Sequence, residues 1–129
     1  DTASPMIGIG CHSIHLPFAV KVTGALKKRF PGKIIILGGA GPSAVAEDLL
    51  EKFNFIDAVV VGEGEETIVE IVKKGLGGFQ EIRGMVYRVA DKVHVNGIRP
   101  HINELDKLPL PAYDSVNFKE QYQIVQYLN

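Results

Sequence analysis

Three short apolar runs, MIGIGC (6–11), KIIIL (33–37) and IDAVVV (56–61), each lead through a short turn into a stretch with helical periodicity. That recurrence constrains the fold more than any other feature. Strands alternating with helices of roughly 10–15 residues form βαβ units, which stack into a parallel sheet covered on both faces. Pro17 suits the first turn of the first helix, where its missing N–H costs nothing. Phe18, Val22, Ala25, Leu26 and Phe30 recur at helical spacing and predict its apolar face. Lys27, Lys28 and Arg29 complement its C-terminal dipole, and Pro31-Gly32 stops it. Ser43 is the expected N-cap of a second helix running to about Phe53, and a third ends at Gly75.

The parallel pattern ends near residue 76. Met85–Val89 and Val93–Val95, separated by Ala90-Asp91-Lys92, read as an antiparallel hairpin. From Arg99 the chain reads RPHINELDKLPLPAYDSVNF, with prolines at 100, 109 and 111, and is expected to be an extended connector. The closing KEQYQIVQYLN is too short to classify. The expected organisation is therefore an α/β domain over 1–76, a β-hairpin extension over 77–98 and a connector over 99–129. Its fold class is a Rossmann-like or flavodoxin-like three-layer α/β/α arrangement.

Composition narrows the partners. At 129 residues and 46% hydrophobic the chain can bury one real core. A formal charge of -1, with scattered Lys and Arg, leaves no electrostatic footprint for nucleic acid or an anionic membrane. No apolar run reaches the ~18–20 residues that span a bilayer, and the start carries no secretory signal pattern. The single cysteine, Cys11, excludes an internal disulfide and fits a reducing, cytoplasmic setting.

In an open parallel sheet, ligands sit beyond the carboxyl ends of the strands. Those ends are Cys11-His12-Ser13, Gly38-Gly39-Ala40-Gly41 and Gly62-Glu63-Gly64-Glu65. Glycine is the default turn residue, so each loop alone has an ordinary explanation. Three on one edge point to a binding site where backbone approaches ligand closely. Gly62-x-Gly64 is no dinucleotide fingerprint, because Thr67 stands where the third glycine belongs, and no P-loop is present. His12 and His15 lack a second ligand cluster and are expected to be structural, so no metal site and no catalytic residue is assigned. His94 and His101 carry no pattern. The acidic loop GEGEE is the puzzle, since three carboxylates would repel a phosphate.

Three ordered segments, ILGGAGPSA, FIDAVVVGEGEET and ELDKLPLPAYD, together resemble the cobalamin-binding domain that precedes the radical S-adenosylmethionine domain in a large family of iron–sulfur cyclases and methyltransferases. The match covers about residues 6–116. It implies a cobalamin-binding module, with methyl transfer or radical chemistry performed by a whole enzyme that holds a [4Fe–4S] cluster and S-adenosylmethionine in a C-terminal radical SAM domain. Two parts of the family pattern are absent: the first two βα units, and the three-cysteine motif CxxxCxxC. Met6–Cys11 is accordingly expected to form an open edge, prone to self-association.

The resemblance implies that Cys11, His12 and Ser13 face the cofactor along the first loop. Gly38, Gly39 and Ala40 would meet the nucleotide tail or corrin edge, with close approach at Gly38 and Gly39. Gly62, Glu63, Gly64 and Glu65 fill the third loop, where carboxylates can accept N–H groups from corrin amides. The family's lower-axial histidine does not carry over onto His12 or His15. Glu65 and Glu66 also suit the helix N-terminus, which leaves Glu63 the least explained. A competing reading is a flavodoxin-like interaction or docking domain that has lost its cofactor, since such sheets host many functions.

Overall fold

The computed structural model describes residues 3–75, 77–112 and 115. Part of the expected connector, with the closing KEQYQIVQYLN, therefore lies outside the described residues. Among the described residues, five strands form one sheet in the order β1-β2-β3-β4-β5: β1 Met6–Gly10, β2 Ile34–Gly38, β3 Ala58–Val60, β4 Met85–Val89 and β5 Lys92–Val95. The first three are parallel, with Met6 opposite Ile34 and Ile36 opposite Ala58, whereas β4 and β5 run antiparallel. The hairpin thus extends the same sheet. Among the described residues, β1 has a neighbour on one side only.

Right-handed crossovers put both linking helices of β1-β2-β3 on one face. There α1 Leu16–Arg29 and α3 Ala46–Lys52 cover Leu37, Val59 and Val86, with Leu49, Leu50 and Ile56 completing the core. On the opposite face α4 Glu65–Lys74 brings Ile71 onto Ile36, Ala58, Val60 and Tyr87, joined by Phe79 and Ile82. The result is the three-layer, flavodoxin-like α/β/α arrangement. Asp57 fastens the amino ends of the strands. Its carboxylate accepts the Ile35 N–H at 2.7 Å and the Lys27 ammonium at 2.8 Å.

Two local expectations need correction. The packed stripe of α1 is Ala19 and Thr23, both buried, while Phe18 is 69% exposed. Small residues decide this phase. Gly24 lets the helix approach the Phe55 ring, which lies 3.5 Å from where a Cβ would stand, and Thr23 returns its hydroxyl to the Ala19 carbonyl. Phe18 instead lies beside the open edge of β1. The second correction concerns Ser43, which is not an N-cap. It falls inside a short helix, α2 Ala40–Ala44, and the helix axis breaks at Val45 before α3 begins. Gly39 stands at the N-terminus of α2 with φ 93° and ψ 178°.

Candidate functional site

The carboxyl ends of β1, β2 and β3 converge as expected, and main-chain bonds knit their loops together. The Cys11 N–H donates to the Gly38 carbonyl at 3.0 Å, and the Cys11 carbonyl accepts from Gly41 at 3.2 Å. Freed from capping, the Ser43 hydroxyl accepts the Gly62 N–H at 3.1 Å and so ties the second loop to the third. Gly62, at φ 80°, makes the turn out of β3.

On the α4 face, this edge opens into a groove of 390 Å³ lined by Gly8, Gly10, Gly38, Gly39, the loop Gly62–Glu65, Val60 and Ile68. The floor is glycine for a geometric reason. Side chains alternate along a strand, so Gly8 and Gly10 project to the same face as Met6, and register sets Gly10 opposite Gly38. A Cβ on Gly8 or Gly10 would meet nothing within 4 Å, and one on Gly38 would touch only Val60, at 3.8 Å or more. Three missing side chains therefore leave a shallow trough beside α4, walled by the half-exposed Ile68.

The expected site residues divide into two groups. Gly38, Gly39, Gly62, Glu63, Gly64 and Glu65 line the trough. Cys11 and His12 instead line a second hollow of 280 Å³ between β1 and α1, together with His15, Phe18 and Val22. Ile9 and Gly10 border both. Ser13 and Ala40 line neither. Partial burial pushes the Cys11 thiol up from its ordinary value, because desolvation disfavours the thiolate. Sequence reasoning missed Gly8, Gly10 and Ile68. The period-two spacing of glycine in MIGIG was the available signal, since both glycines must share one face.

Gly39, besides lining the trough, is packed tightly against its own chain. A Cβ there would stand 2.7 Å from the Cys11 carbonyl oxygen and 3.2 Å from the Cys11 nitrogen, so its close approach is to its own chain. The acidic loop also resolves. Glu63 lines the trough but commits its carboxylate to the connector, accepting the Ile102 N–H at 2.6 Å and facing His101 Nδ1 at 3.3 Å. The Ile102 N–H holds the Glu63 carboxyl below the usual glutamate range, against a smaller upward push from burial, with His101 adding to the lowering. Glu66 pairs with Arg99 at 3.1 Å. Glu65 remains at the trough, with no partner among the described residues.

Comparison with known proteins follows the same region. The model of the B12 binding domain family matches residues 1–72. An uncharacterized methyltransferase of Pyrococcus horikoshii is 30% identical over 112 residues, covering 84% of this chain and 24% of that protein. The anaerobic magnesium-protoporphyrin IX monomethyl ester cyclase of a Synechocystis species is 30% identical over 99 residues, 75% of this chain and 20% of the cyclase. The cyclase of the same name from Cereibacter sphaeroides is 29% identical over 94 residues, 69% of this chain and 15% of its own length. The chain thus spans a quarter or less of these relatives.

Proposed function

The chain belongs to the B12 binding domain family, and we propose that its glycine-floored trough receives one portion of a bound cobalamin, the corrin edge or the nucleotide tail. The absence of side chains at Gly8, Gly10 and Gly38 carries this reading, because a flat group can lie there directly on the sheet. At 390 Å³ the trough holds a part of so large a cofactor, and the remainder would extend over the carboxyl-edge loops. Main-chain groups of Gly62 and Gly64 would border it, and the free carboxylate of Glu65 would accept amide N–H groups. Cys11, His12 and Ser13 would flank the far side of β1. No residue here is assigned a catalytic role.

Bound cobalamin supplies methyl transfer, or assistance to a radical step, through its cobalt. We further read residues 1–76 with the hairpin 77–98 as one binding module, and 99–129 as the connector to a radical S-adenosylmethionine domain carrying a [4Fe–4S] cluster. The connector motif ELDKLPLPAYD and the methyltransferase and cyclase names of the relatives support this larger assignment.

The test uses hydroxocobalamin. The chain, incubated with it and desalted, should retain corrin absorbance. Gly10→Val, which fills the trough with a residue favoured in strands, should lose that absorbance while its circular dichroism spectrum and urea midpoint stay near wild type. Equal retention by the variant would remove the trough from the binding site.

A further inference from the structure

The acidic residues around the third loop are spent on the connector. Glu63 in the loop, and Glu66 and Glu70 one turn apart on α4, all reach residues 99–102. The Ile102 N–H donates to Glu63 Oε2 at 2.6 Å. Arg99 donates through one guanidinium nitrogen to Glu66 at 3.1 Å and pairs through another with Glu70 at 2.8 Å. Its side chain is 11% exposed, far less than that of an ordinary surface arginine. Glu66 and Glu70, four apart on one helix, would repel each other if left alone. Arg99 between them turns that repulsion into a clamp. The base of its side chain also lies close to Gly84, where a Cβ would stand 3.1 Å from the Val61 carbonyl and 3.4 Å from Arg99 Cβ. The end of β3, the start of β4 and the connector therefore share one tight contact.

None of these connector atoms lines the trough, yet Glu63 on its rim and Glu66 beside it at the start of α4 both hang on them. From this geometry, and resting on the cobalamin reading for its functional half, we propose that Glu63 and Arg99 are positioning residues of the cofactor face. They strap Arg99–Ile102 across the third loop and fix Gly62–Glu65 in the shape that borders the ligand. Binding at the trough and the placement of the connector are then linked, because each draws on the same conformation of this loop.

Two measurements on the 129-residue chain separate the halves of this proposal. The first is amide hydrogen exchange without ligand, comparing Glu63→Ala, Glu63→Gln, Arg99→Met and Arg99→Lys. Losing one charge-assisted bond should speed exchange at residues 62–66 by about five- to tenfold, with β2 and β3 unchanged. Gln, whose amide oxygen still accepts from Ile102, should restore most of the protection, and Lys part of it. Unchanged exchange in the loop, or equal acceleration throughout the sheet, would overturn the strap. The second is hydroxocobalamin affinity, which should fall in Glu63→Ala and Arg99→Met and recover in Glu63→Gln. If the wild type takes up no corrin, the cobalamin reading fails, while exchange still decides the strap. Faster loop exchange with undiminished affinity would overturn the positioning role.

Discussion

Replacing Gly39 by alanine should cost the fold far more than its one added carbon suggests. The residue sits at φ 93° and ψ 178°, a region that essentially only glycine occupies, and holding alanine there costs about 1–3 kcal/mol. The new Cβ would also stand 2.7 Å from the Cys11 carbonyl oxygen, an approach that real Cβ atoms do not make. Relief requires the backbone after β1 to shift, which puts the 3.2 Å bond from Gly41 to that same carbonyl at risk. Such a bond contributes about 1 kcal/mol. The sum, about 2–4 kcal/mol, is a large part of the roughly 5–15 kcal/mol that holds a small domain together. With a urea slope of about 1–3 kcal/mol per molar, the unfolding midpoint should fall by roughly 1–2 M. Gly38→Ala is the matched control, since its Cβ meets only Val60 at ordinary contact distance, 3.8 Å. It should stay within about 0.5 kcal/mol of wild type. A Gly39→Ala midpoint indistinguishable from that control would refute the argument.

Acid should release the strap. The Glu63 carboxyl is lowered mainly by the Ile102 N–H, so its stabilising contribution is complete above the ordinary glutamate pKa of about 4.3 and is lost as pH falls through the lower folded value. The Ile102 amide resonance, followed by NMR from pH 7 downward, should move with a midpoint below that ordinary value; a midpoint at or above it would contradict the contact. The open edge of β1 is expected to pair with another chain. The Cys11 amide and Pro5 carbonyl bond to β2, so the two-residue period turns the amides of Gly8 and Gly10 outward. Sedimentation should show a dimer or larger species that Gly8→Pro shifts towards monomer, and a wild-type chain monomeric at every concentration would count against this. Ile9→Lys would be a poorer probe, because Ile9 packs on the core beneath α1.

Local periodicity carried the reading as far as neighbours in sequence determine neighbours in space. The runs at 6–11, 33–37 and 56–61, their turns and the hairpin could all be read because each depends on a handful of adjacent residues. The phase of α1 could not. Phe18 and Val22 look like a buried stripe until small residues at 19, 23 and 24 let the opposite side of the helix approach Phe55. Ser43 resembled a cap because capping is the usual local use of serine, whereas its hydroxyl bonds to Gly62, nineteen positions away. Glu63 was the hardest case. Its partner lies 39 positions along the chain, and no local pattern announces a contact of that span. The glycines of MIGIG were legible in principle, but only once an uncovered sheet face gave their spacing a meaning.

The antiparallel hairpin has a consequence that is a matter of parity. Val60, at the carboxyl end of β3, stands opposite Met85 at the beginning of β4, and Val95 at the end of β5 stands opposite Val86. Strand β4 therefore carries the chain away from the trough, and β5 brings it back. Two passes restore the starting edge, where one alone would have left residues 99–102 at the opposite end, beside Asp57. By spending an even number of strands, the fold returns the polypeptide to the rim from which β3 departed. Glu63 can meet Ile102, and Arg99 the acids of α4, only because that count is even. An insertion or deletion that added or removed a single strand here would invert the direction in which the chain leaves the sheet, with every residue of β1, β2 and β3 untouched.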